Sequence, residues 1–155
     1  MSLDVGQVRM YVILPTLVAL DAWSQPAEDL VLGTAVQESR LQYLRQLGGG
    51  PALGLWQMEP ATHEDIWQNY LEAKPALRIK VLGAAGFHIR PPPEALVYNL
   101  RYAAAMCRVH YLRKPGAIPG DLRGQAEYWK RWYNSPLGAG TPEQYVRSWQ
   151  ALNGP

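Results

Sequence analysis

Glu38 and Ser39 close an apolar run, Val31-Leu32-Gly33-Thr34-Ala35-Val36, and Gln57 follows downstream within Gly54-Leu55-Trp56-Gln57. A carboxyl on the buried face of an apolar helix is costly to ionise. Its pKa rises, and the protonated acid can then donate to a leaving oxygen near neutral pH. The bland reading of the same residue is a helix-end glutamate that accepts from a loop amide or pairs with Arg40 or Arg45. Ser39 reads as a helix-end hydrogen-bonding residue and not as a nucleophile, because no serine here sits in a Gly-x-Ser-x-Gly elbow. Glu59, in Met58-Glu59-Pro60, is either a solvated loop acid or a second carboxylate. Facing Glu38 across a gap wide enough for a water, it would permit inverting hydrolysis. His63, His88 and His110 lie in three separate segments without metal-ligand spacing, so neither a metal nor another cofactor is expected.

The chain is rich in aromatic residues, with 6 tryptophans and 9 tyrosines, and aromatic faces stack on sugar rings. Trp56 beside Gln57, and Tyr145 after the last glycine-rich loop, are the best candidates for that task. Trp23, Trp67, Trp129 and Trp149 read as core or core-edge residues. The stretch Trp129-Lys130-Arg131-Trp132-Tyr133 is not a nucleic-acid stripe, since a helix spreads these side chains over different faces.

These residues must be held by a chain of 155 residues, 48% hydrophobic and 18% charged, which suits one domain over residues 1–155. A net charge of +2 without a long basic run gives no footprint for nucleic acid, though a mildly cationic surface suits an anionic polymer such as a cell wall. The single cysteine, Cys107, excludes an internal disulfide and reads as a small core residue. Val8 to Leu20 resembles a signal peptide only superficially. Asp4 precedes it, Pro15 interrupts it, and Asp21-Ala22-Trp23 is a poor cleavage site. The run is also too short for stable membrane insertion.

Periodicity and punctuation predict a mainly α domain of about seven helices. The first spans Val5 to Trp23 with a bend near Pro15, and the second, capped by Ser24 or Gln25 with Pro26 following, runs to Tyr43. Val31, Ala35, Glu38 and Gln42 would share one of its faces. Gly48-Gly49-Gly50-Pro51 forces a loop or small hairpin. Pro60 and Thr62 open a third helix, a short one reaches Leu82, and residues 83–93 read as irregular. Leu96, Leu100, Ala103, Cys107 and Tyr111 predict one long helix from Glu94 to Arg113. Another covers Asp121 to Tyr133, with Asn134 ending it and Pro136 and Gly138 building the turn. Thr141-Pro142-Glu143-Gln144 has the capping-box pattern for a last helix ending near Ala151.

The order of these blocks resembles the lytic transglycosylases of the lysozyme superfamily. In them a helix-terminal Glu-Ser precedes a glycine-rich loop with Gly-Leu-Met-Gln, then Met-Pro and Thr, and later Ala-Tyr-Asn-Ala-Gly. Here the counterparts are Glu38-Ser39, Gly54-Leu55-Trp56-Gln57, Pro60 with Thr62, and Trp132-Tyr133-Asn134-Ser135-Pro136-Leu137-Gly138, across residues 30–150. The resemblance implies a lysozyme-like single domain whose glycine-rich loop or hairpin forms one cleft wall. Glu38 would be the catalytic acid and then base, supported by Tyr133 reaching back towards it and by Ser39. Gln57, Trp56, Met58, Glu59, Asn134 and Tyr145 would line the sugar cleft. The implied substrate is the β-1,4 bond between N-acetylmuramic acid and N-acetylglucosamine in peptidoglycan glycan strands, closed to a 1,6-anhydro product without cofactor.

Two departures from the family pattern bear on that chemistry. The segment from Glu38 to Gln57 is one residue longer than the family's loop, and Leu47 or Gly48 stands where a loop serine is usual. Glu59 replaces the family's second methionine, which keeps a hydrolytic muramidase open, as does a non-catalytic glycan-binding protein that kept the fold. A wall-degrading domain made in the cytoplasm without a convincing signal would suit a bacteriophage, as a lysis enzyme or a virion component working with other phage proteins.

Overall fold

Prolines punctuate the chain, standing in the first turn of α2 (Leu14–Ala19), α3 (Gln25–Ser39), α4 (Pro60–Asn69), α5 (Pro75–Ala85) and α9 (Pro142–Asn153). In the last four an absent N–H costs nothing and the fixed φ is already helical, whereas Pro15 lies inside a longer helix. The computed structural model describes residues 1–135 and 137–154, and these are mainly α-helical with no strand among them.

The first helix begins as α1 (Val5–Val8), widens into a π turn over Arg9–Ile13 and continues as α2. The N–H of Leu14 reaches back to the Arg9 carbonyl, so the expected irregularity is a widened turn just before Pro15. The helix stops at Ala19, before the expected Trp23. Asp21 then takes a left-handed φ of 53°, and Trp23 is 48% exposed with its indole N–H donating to Glu28. Trp23 is therefore not a core residue.

Ser24 caps α3 by accepting from the Ala27 amide. The same end is anchored by Arg9, which pairs with Glu28 and, at 2.8 Å, with Asp29. Burial opposes ionisation of Glu28, yet hydrogen bonds from Trp23 and Arg9 hold its carboxyl below the ordinary value. Arg9→Gln should cost roughly 2 to 3 kcal/mol at pH 7, because it strands a buried carboxylate. A depressed folded-state pKa contributes stability above the unfolded value that is lost as pH falls. Urea unfolding should accordingly show the difference between the two proteins narrowing in acid.

The end of α3 fixes the site. The helix closes at Ser39, not at Tyr43, because Arg40 and Leu41 both turn left-handed, at φ 52° and 57°. Leu41 is thereby driven into the core at 1% exposure, while the Ser39 hydroxyl donates to the Ala35 carbonyl and accepts from the Leu41 amide. Gln42 lies beyond the helix and does not share its face with Glu38. The following loop folds back through isolated antiparallel bridges, Arg45 with Leu53 and Leu53 with Met58. This is a minimal form of the expected hairpin, with a 3-10 turn at Leu47–Gly49.

α5 runs three residues past the expected Leu82 and stops at left-handed Gly86. The long helix expected from Glu94 to Arg113 is broken into α6 (Ala95–Tyr98) and α7 (Leu100–Leu112). Asn99 causes the break: its backbone is extended, its side chain accepts from the Tyr102 amide, and its carboxamide donates to the Ala85 carbonyl. The apolar stripe stays in phase across the break, so periodicity alone could not reveal it. α7 is the central helix, with Tyr102 to Cys107 buried throughout, and its small Ala103-Ala104-Ala105 run admits close neighbours. α8 (Leu122–Trp129) is capped by Asp121 and ends in a second π turn, Lys130–Asn134. The capping box of Thr141 and Gln144 opens α9 as expected. Pro136 lies outside the described residues.

Candidate functional site

A cleft of about 950 Å³ opens between the last turn of α3, the loop before α4, and the π turn after α8. Seven of the residues singled out from the sequence line it: Glu38, Ser39, Gln57, Met58, Glu59, Tyr133 and Asn134. Glu38 is half-buried and pairs with neither Arg40 nor Arg45; Arg45 binds Glu94 instead. Among the described residues its side chain has one hydrogen bond, from the Trp129 indole N–H at 2.9 Å to Oε1. Burial drives the carboxyl up to about 7, partly offset by that bond. A place in the last turn of α3, at the negative end of the helix dipole, acts in the same upward direction. Glu38 is therefore a proton donor poised near neutral pH.

Trp129 was legible only as a core tryptophan. It is buried, but its N–H faces the cleft acid, and its ring packs on Tyr145 at 5.5 Å between centroids. Tyr145 is completely buried on α9, pressed into the space left by Gly33 on α3, so it offers no face to a sugar. Its place in the site is behind Trp129. Trp56 is likewise not a stacking surface: at 1% exposure its indole donates to the Val31 carbonyl. The aromatic that does line the cleft with an exposed face is Tyr43, which becomes accessible because α3 stops before it.

Tyr133 does not hydrogen-bond to Glu38. Its hydroxyl donates to the Trp56 carbonyl at 2.6 Å, and burial, with lesser contributions from Cys107 and Glu38, holds it well above the ordinary tyrosine value. The ring is flanked by Tyr111 and, edge-on, by His110 at 5.1 Å. His110, which the sequence offers only as a rejected metal ligand, also lines the cleft. Burial and the nearby Arg113 and Lys114 lower its pKa to about 3, so it is neutral. Arg113, which can only donate, lies 2.7 Å from Nδ1; the ring proton is therefore on Nε2. The Asn134 side chain accepts from Lys130, which also donates to the Gly138 carbonyl, closing the turn beside the cleft.

Backbone conformation marks the same place. Arg40, Gln57 and Ser135 line the cleft with left-handed φ values of 52°, 47° and 78°, conformations that non-glycine residues adopt at a cost and that cluster at functional sites. Gln57 is further fixed by donating to the Gly54 carbonyl. Among the described residues no group of three His, Cys, Asp or Glu side chains could hold a metal, and no helix is long and apolar enough to cross a membrane.

Trp129→Phe keeps most of the packing but removes the donor that favours ionised Glu38. The Glu38 pKa should rise above 7, and a pH titration of its carboxyl by NMR should move upward by about one unit. An unmoved titration would show that the indole does not set it.

The fold and cleft thus define a mainly α-helical domain with one raised-pKa acid at a helix end. Set against known proteins, the chain matches no family model, no curated protein and no solved structure.

Proposed function

We propose that this chain is a lysozyme-like, peptidoglycan-cleaving enzyme acting as a lytic transglycosylase, with Glu38 as its single catalytic carboxyl. The observation that carries the reading is a half-buried acid with pKa about 7, held by one donor and opening on a cleft large enough for several sugar rings. Protonated Glu38 donates to the glycosidic oxygen as the bond to the muramyl C1 breaks. The substrate's acetamido oxygen supports the developing charge. The carboxylate then removes the proton from the muramyl C6 hydroxyl, whose oxygen closes on C1, and the acid is regenerated. Gln57 and the exposed face of Tyr43 would hold the sugars, and Tyr133 would fix the loop carbonyl opposite.

A muramidase reading is favoured by one observation: Glu59 is exposed on the same cleft, where it could activate a water. Mass spectrometry of products from isolated cell walls separates the two. Transglycosylation gives anhydro-muropeptides, lighter by one water, and survives Glu59→Gln. Hydrolysis gives reducing ends and is lost in that variant. Tight binding of wall fragments with no product after long incubation would instead indicate a glycan-binding protein. The phage setting, as lysis enzyme or virion component, is part of the same proposal. Release of anhydro products from walls treated with purified phage particles, together with detection of the chain in those particles, would identify the virion case.

A further inference from the structure

A second groove, of about 560 Å³, runs between the end of α3 and α9 and shares Gln37 and Arg40 with the Glu38 cleft. The Ser148 hydroxyl donates to the Gln37 side-chain oxygen at 2.7 Å, tying the two helices at the junction. Its polar lining is cationic or neutral: the guanidinium groups of Arg40 and Arg147, the carboxamides of Gln37, Gln42 and Gln144, and the Ser148 hydroxyl. No carboxylate lines it, and among the described residues neither guanidinium group has a hydrogen bond or ion pair. Most of the remaining arginines are engaged: Arg9, Arg45, Arg90, Arg113 and Arg123 all pair with acids.

We infer that this groove binds the peptide stem of the glycan strand, with Arg147 and Arg40 receiving stem carboxylates. The inference rests on the peptidoglycan reading and adds a substrate class to it: peptide-bearing strands over stripped ones. Guanidinium groups bind carboxylates through paired donors, and carboxamides, which donate and accept, match the amide groups of an extended peptide. A site for phosphate would need donors only, whereas the Gln42 carboxamide offers an oxygen without a partner among the described residues, those of Gln37 and Gln144 already accepting from Ser148 and Thr141. The geometry also fits, because the stem leaves the muramyl residue beside the bond being cut, and Gln37 and Arg40 join the groove to the acid.

The test uses the full chain on peptide-bearing glycan strands and on strands stripped of stems by an amidase, at equal disaccharide concentration. The expected result is a kcat/KM about five-fold or more higher on peptide-bearing strands, carried by KM, which is the scale of a partly solvated charge pair. Arg147→Gln, which changes an exposed residue outside the Glu38 cleft, should reduce that preference about three-fold or more, and Arg147→Lys should restore part of it. Circular dichroism checks that the variants fold. Equal rates on the two substrates overturn the inference and leave the peptidoglycan reading standing, as does a preference that Arg147→Gln leaves unchanged. Cleavage of neither substrate overturns both.

Discussion

Glu38→Gln should abolish clearance of isolated cell walls, with at least about a thousand-fold loss in rate, while the protein becomes more stable at neutral and alkaline pH. The loss follows because glutamine keeps the shape and can accept from Trp129, but can neither give nor take the proton. General acid–base catalysis alone contributes on the order of 10² to 10⁴, and here one group serves both steps. Undiminished clearance would remove Glu38 from the mechanism.

The gain in stability follows from linkage. Glu38 has a folded pKa of about 7 against an ordinary glutamate value of 4.5. Below the lower value both states bind the proton and the residue costs nothing through ionisation. Between the two values the unfolded chain releases its proton while the folded protein holds it, so stability falls as pH rises, and above about 7 the whole difference is lost. Taken at face value the shift corresponds to roughly 3 kcal/mol, and half-burial makes roughly 2 kcal/mol the better expectation. Wild type and Glu38→Gln should unfold at similar urea concentrations at pH 4 and separate at pH 8, with the variant the more stable. A structural glutamate, paired or capping, would give the opposite order. Activity that needs protonated Glu38 should fall on the alkaline side with a midpoint near 7, so the acid weakens the fold in the range where it works.

Which parts of this were readable beforehand depends on whether local chemistry or distant packing decides them. Ser24, Asp121 and Thr141 announce their helices because a capping side chain needs only its own next turn. The end of α3 was misread since Arg40 and Leu41 carry no glycine signal; the burial of Leu41 overrides their local preference. Asn99 was hidden for a related reason, its extended backbone being stabilised by the Ala85 carbonyl, far away in sequence. In the site, Glu38 stands out as a carboxyl that ends an apolar helix, whereas Gln57 and Tyr133 are reached through the resemblance to the transglycosylase motifs. Trp129 and Tyr145 exchanged roles because both are aromatic residues near loops, and only the fit of Tyr145 against Gly33 shows which faces inward. A tryptophan one turn before Tyr133 was the available hint for Trp129, since π-turn and helix together aim both towards the same cleft.

Gly54→Ala should be the most damaging methyl group that can be added near the site, costing roughly 3 to 5 kcal/mol. Gly54 holds φ at 76°, and a Cβ there would overlap the carbonyl oxygen of Leu96. Backbone of α6 cannot move aside as a flexible side chain could. Both the left-handed conformation and the overlap therefore oppose the substitution. The effect should reach the chemistry, because Gly54 accepts from both the Gln57 amide and its side chain, and its own N–H donates to the Leu44 carbonyl. Displacing it would move Gln57 and the Trp56 carbonyl that receives Tyr133. Gly83→Ala provides the contrast: it is helical, exposed and open around its Cβ, so it should stabilise by about 0.5 to 1 kcal/mol. Thermal unfolding of the two variants measures the stability difference, and wall clearance below the melting range of Gly54→Ala measures the coupling. If Gly54→Ala folds as stably as Gly83→Ala, the close approach of this loop to α6 is not what holds the cleft.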